Sequence, residues 1–169
     1  MKIELKNIKY AEFASHETHC YTATVYIDGK KVATVENSGH GGSDMIDPWT
    51  VGERIDEYAK TLPHALLDNT TDPDTGKPYE VEHNFETIFG DLVNKYLLTR
   101  DLKRAMSKKI VFTKPGNPGI WTINAKSKTG VARALEAFAN KPEWKGRTIL
   151  NLLPIDEALK IWSEARMSL

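Results

Sequence analysis

Three groups of residues in this chain have types and spacings that could do chemistry. His16, His19, Cys20 and His40, with Asp44 close by in sequence, are the metal-ligating candidates. Neutral imidazole and thiolate are good zinc ligands, so His16, His19 and His40 could hold Zn²⁺ for a metal-assisted hydrolase. The spacing matches no common zinc signature, and the competing reading is two exposed loop histidines beside a buried strand cysteine. The loop Ser38–Asp44, SGHGGSD, places glycines at 39, 41 and 42, where backbone N–H groups could approach an anion. Asp44 and Asp47 argue against an anion there and for a cation, and a tight turn between sheet and helix explains the same glycines.

The segment Asn124–Arg133, NAKSKTGVAR, is the anion candidate. It follows an expected strand and opens an expected helix, where free N–H groups and the helix dipole favour negative charge. Ser127 and Thr129 offer hydroxyls, Gly130 permits close approach, and Lys126, Lys128 and Arg133 add charge. The arrangement resembles the tail of a phosphate-binding loop but lacks the glycine and lysine order of a Walker A motif. Arg100, Lys103, Arg104 and Lys108 fall on one face of a helix and extend the positive field. Tyr96, Phe112, Trp121 and Trp144 are interleaved with it, a composition that nucleic-acid surfaces use.

That field belongs to a wider sorting of charge. The chain of 169 residues has 23 basic and 23 acidic side chains and no formal net charge. Residues 1–94 nevertheless hold 8 Lys/Arg against 17 Asp/Glu, while residues 95–147 hold 13 Lys/Arg against 3 Asp/Glu. The basic block needs a counter-charge, either from the acidic part of the chain or from an external polyanion. Nucleophilic catalysis has little support: there is no GxSxG, and Cys20 stands in an apolar alternation typical of an inert buried thiol.

The elements that must position these groups read as α+β. Lys2–Tyr10, Cys20–Ile27 and Lys31–Val35 form an antiparallel three-stranded meander, with a bulge or break expected near Lys6-Asn7. Asp28-Gly29 is a hairpin turn. If Ile27 pairs with Lys30 and the ladder runs on unbroken, His19 faces Ser38 and His40 is its diagonal neighbour on one sheet face; a bulged or longer turn changes the pairing, and some such registers put the two on opposite faces. Asp47-Pro48 opens a helix closed by Pro63. Residues 68–82 read as an exposed loop between an acidic lobe, 1–67, and a basic lobe, 83–169, the whole expected to form one compact unit. Phe85, Ile88, Phe89, Leu92, Val93, Tyr96 and Leu97 mark an amphipathic helix leading into a β-β-α-β-α unit. Its strand–helix–strand over 120–153 is long enough for a parallel crossover. A single cysteine, no long apolar run and no secretory signal point to the cytoplasm.

The opening stretch, KIELKNIKYAEFASHETHCYTATVYIDGKKVATVENSGHGGSD, resembles the start of small uncharacterised accessory proteins of phages and prophages. The likeness covers about 45 residues, with a fainter echo in ILNLLPIDEAL. It implies a protein of the host cell cytoplasm that binds host or defence components, and assigns no residue. The strand order before the first helix is also similar to a double-stranded-RNA-binding domain, but Asp44, Asp47 and Glu53 stand where that domain is basic. The expected function is non-enzymatic binding of an anionic partner: nucleic acid, a phosphorylated nucleotide or an acidic protein surface. Lys126, Ser127, Lys128, Thr129 and Arg133 would contact phosphate, and Arg100, Lys103 and Arg104 would flank it. No cofactor is expected unless the histidines hold zinc. A third reading makes the acidic half an interaction module that mimics nucleic acid.

Overall fold

A computed structural model describes residues 1–139 and 141–167. The chain divides into two compact units, Met1–Asn94 and Lys95–Leu169. The fold is α+β, as the patterning predicts.

In the first unit, β1 (Ile3–Tyr10), β2 (Tyr21–Ile27), β3 (Lys30–Asn37) and β4 (Met45–Asp47) form an antiparallel sheet in the order β1-β2-β3-β4. The expected bulge is present: the β1–β2 register shifts between Lys6 and Lys9, and Asn7 has φ of 55°. The alternation of β2 buries Tyr21, Ala23, Val25 and Ile27 on one face. Asp28-Gly29 turns the chain as expected, with Ile27 opposite Lys30. The sheet gains a fourth strand because Met45–Asp47 pairs with Thr34–Glu36.

Trp49–Ala59 forms helix α1, with Pro48 as its N-cap rather than its first residue. Ala65–Thr71 (β5) and Pro78–Val81 (β6) form a separate two-stranded hairpin. This corrects the reading of 68–80 as plain loop. The polar DPDTG stretch is the hairpin's turn, held by the Asp72 carboxylate accepting from the N–H groups of Asp74 and Thr75. Helix α2 (Phe85–Met106) starts where Asp56 accepts from the Phe85 N–H at 2.7 Å. Phe85, Phe89 and Val93 are buried, so the amphipathic stripe packs as the spacing requires. The division between units falls inside this helix, at Asn94/Lys95, rather than in the 68–82 segment.

The second unit has the expected β-β-α-β-α order. β7 (Lys109–Lys114) is the centre of a three-stranded sheet, between β8 (Asn117–Asn124) and the short β9 (Thr148–Ile149). Both neighbours run antiparallel to β7, so β8 and β9 are parallel to each other with helix α3 (Lys128–Ala139) between them in sequence. The expected crossover therefore exists, but it passes over β7 instead of joining adjacent strands. One face of β7 buries Val111 with Leu102, Leu150, Ala158 and Leu159, the last two from helix α4 (Ile155–Met167). The other face buries Ile110 and Phe112 with Val131 and Trp144. The strand expected over 148–153 stops at Ile149, and residues 150–152 form a 3-10 turn. Asn151 is the cause: its side chain accepts from the Val111 N–H at 2.7 Å. It also donates to the carbonyls of Met106 and Lys109, so it ties the end of α2 to β7 instead of extending the sheet.

Candidate functional sites in the two units

The histidines are positioned by a loop that closes on itself. The Ala11 N–H donates to the Cys20 carbonyl, continuing the β1–β2 pairing past the strand ends. Ser15 Oγ donates to the Ala11 carbonyl and accepts from the Cys20 N–H. The N–H groups of His16 and Glu17 both donate to the Gly39 carbonyl, at 2.9 and 3.1 Å. Gly39 has φ of 84°, and a Cβ there would collide with the Ala14 carbonyl, so this close approach requires glycine.

The register decides the histidine pairing that the sequence leaves open. A bulge between Val25 and Tyr26 shifts β2 against β3 by one residue, so Tyr21 pairs with Asn37. His19 and His40 lie beyond the strand ends and share no sheet face. His40 stacks on His16 instead, with ring centroids 5.1 Å apart and planes 20° from parallel. The His19 ring meets Tyr10 edge-on, and its Nε2 lies 2.8 Å from Asn94 Oδ1, which puts the hydrogen on Nε2. Among the described residues, no three His, Cys, Asp or Glu side chains are grouped to hold a metal. Cys20 is half-buried and precedes β2 rather than sitting within it.

Asn37 organises this region, and the sequence reading missed it. Its Oδ1 accepts from Thr18 Oγ1 and from the Gly39 N–H, both at 2.8 Å. Its Nδ2 donates to the Gly42 carbonyl at 3.0 Å and to Asp44 Oδ1 at 2.9 Å. Tyr21 donates its hydroxyl to the other Asp44 oxygen at 2.8 Å. Burial, then the Asp44 charge beside it, and more weakly Glu86, push the Tyr21 hydroxyl well above the ordinary phenol range. Tyr21, Asn37, Gly42, Asp44 and Thr18 line a cavity of about 570 Å³ together with His16, His19, and Glu86 and Thr87 from the first turn of α2. No signal short of the fold joins Tyr10, Asn37 and Glu86, which are far apart in the chain.

The second unit carries the expected anion-binding residues. Lys126, Ser127, Lys128, Thr129 and Arg133 are all exposed, around the junction of β8 with α3. The helix start is more self-contained than the glycine suggested. Ser127 Oγ accepts from the Gly130 N–H at 3.1 Å, capping the helix, and a Cβ on residue 130 would collide with the Ala125 carbonyl. Gly130 thus serves a close backbone approach within the protein. Lys103 and Arg104 are exposed near the end of α2, while Arg100 pairs with Asp101 at 3.3 Å.

The aromatics divide. Phe112 and Trp144 are core, with Trp144 stacked on Phe138 at 4.1 Å. Trp121 is 41 % exposed on the edge strand β8, and Lys114 Nζ lies 3.4 Å from its ring centroid. The Arg147 guanidinium sits over both Phe112 and Trp144, at 5.2 and 4.8 Å from the ring centroids.

Charge and compactness share one boundary. The first unit holds 8 Lys/Arg and 17 Asp/Glu; the second holds 15 Lys/Arg and 6 Asp/Glu. Comparisons with protein families, curated proteins and solved structures gave no match. No helix among the described residues is long and apolar enough to cross a membrane.

Proposed function

We propose that the chain is a non-enzymatic binder of single-stranded nucleic acid through Lys95–Leu169. The observation that carries this is Trp121, a large ring 41 % exposed on an edge strand with the Lys114 ammonium against it. Unstacked bases stack on such rings, and an adjacent cation suits the phosphate that follows each base. With 15 cations against 6 anions, this unit's own carboxylates cannot neutralise it. Lys126, Lys128 and Arg133 add exposed cations at the β8–α3 junction, while Lys103 and Arg104 widen the field from α2. A free nucleotide or an acidic protein surface would use the same cations but gives Trp121 less to do.

Fluorescence anisotropy with a labelled single-stranded oligonucleotide tests the reading. The affinity should fall linearly on a log–log plot against salt, by roughly 0.7 decades per decade of salt for each phosphate neutralised. Lys126→Ala with Lys128→Ala should flatten that slope, and Trp121→Ala should cost about 1–3 kcal/mol at constant salt. Binding that ignores salt removes the electrostatic argument.

A further inference from the structure

The cavity of the first unit has a function to explain that the basic unit does not absorb. At one side lies Asp44, only 8 % exposed and so removed from most of its water. Its partners are the Tyr21 hydroxyl and the Asn37 amide, both neutral. Among the described residues no ion pair reaches it. A carboxylate has about four acceptor positions, so two donors leave capacity open. Buried charges in folded proteins are normally paired, because two neutral hydrogen bonds do not replace the hydration that burial removes.

Two further carboxylates, Glu86 and Glu17, line the same cavity with His16 and His19, and no lysine or arginine is among its lining residues. The site is also built rather than incidental. Asn37 is fixed by Thr18, Gly39 and Gly42 at once, and it holds Asp44 in place from a strand end. A volume of about 570 Å³ lies in the range of small-molecule sites.

We infer that this cavity binds an alkyl ammonium or guanidinium group, with Asp44 as its counter-ion and Glu86 as the second carboxylate. The donors of such a group match the open acceptor positions of Asp44, and its alkyl stem suits the uncharged lining that Val93 and Gly90 contribute. The group can arrive on a free small amine or on a lysine or arginine side chain of a peptide.

Isothermal titration calorimetry on the full chain tests this with agmatine, 1,4-diaminobutane and an acetylated, amidated arginine tripeptide; inorganic phosphate is the control. Saturable one-to-one binding of at least one cation is expected, with no phosphate heat that Asp44→Asn alters. Binding of agmatine or the diamine without the tripeptide assigns a free amine, and the reverse assigns a side chain. Folded Asp44→Asn should bind at least tenfold more weakly, because the buried counter-charge is gone. Parent-like affinity in that variant overturns the inference, as does no saturation by any of the three cations at about 10 mM, where even millimolar affinity shows. If Asp44→Asn does not fold, Glu86→Gln takes its place. That change alters a half-buried helix residue and should weaken binding several-fold, and parent-like affinity there overturns the inference equally.

Discussion

Replacing Asn37 by alanine removes four hydrogen bonds at once, and the structure indicates which of them matter. The Thr18 hydroxyl and the Gly42 carbonyl border the open cavity, so water can take over those two bonds. The other two are costly. Asp44 Oδ1 loses a donor to a buried carboxylate, worth about 1.5–3 kcal/mol, and the buried Gly39 N–H loses its acceptor, worth about 1–3 kcal/mol. Partial relaxation trims the sum, so Asn37→Ala should destabilise the first unit by about 3 kcal/mol. The assay is urea unfolding followed by circular dichroism, with hydrogen exchange to locate the loss in residues 1–94. The midpoint should fall with an unchanged m-value. A cost below about 1 kcal/mol would refute the view that Asn37 holds the loop and the buried carboxylate together. Asn37→Asp is the sharper comparison. It keeps acceptors for Thr18 and Gly39, but loses both donors and sets a second carboxylate beside Asp44. Its cost should match or exceed that of alanine.

Two further outcomes follow from the same kind of reading. The Tyr21 phenol is raised above its ordinary value of 10.0, mainly by burial and next by Asp44, so its stabilising contribution is complete below about pH 10 and is lost as pH rises further. Alkaline titration at 295 nm should show one of the six tyrosines ionising only as the fold is lost, and Tyr21→Phe should flatten the fall in stability above pH 10. In the second unit, Asn151→Ala should cost about 2–4 kcal/mol by leaving the Val111 N–H and two carbonyls without their partner, measured by thermal unfolding. Asn151→Asp keeps the acceptor for Val111 but not the donors, and should fall between the parent and the alanine variant.

Local chemistry in the sequence was enough for much of the fold. Asp28-Gly29 named its own turn, the break at Lys6-Asn7 was visible as two alternations out of phase, and the Phe85–Leu97 stripe announced α2. What failed to show were features set by pairing. The bulge at Val25/Tyr26 has no distinctive residue, yet its one-residue shift removes the register in which His19 and His40 would share a face. The β5–β6 hairpin was hidden because its turn is long and polar, and polar stretches with two prolines read as loop. Of the candidate sites, the basic residues were legible because exposure follows from charge. The cavity was not: Asn37 is an ordinary strand-end residue by sequence, and His19 meets an asparagine 75 positions away.

The boundary at Asn94/Lys95 has a consequence for how the protein behaves in bulk. A chain that sums to zero is ordinarily indifferent to ionic strength, but here the cancellation is between whole folding units, −9 against +9. In the language of polymers it is a diblock polyampholyte whose blocks happen to be folded. Where no nucleic acid is present, opposite blocks of two copies attract each other, so solubility should be lowest in dilute buffer and rise as salt screens one block from the other.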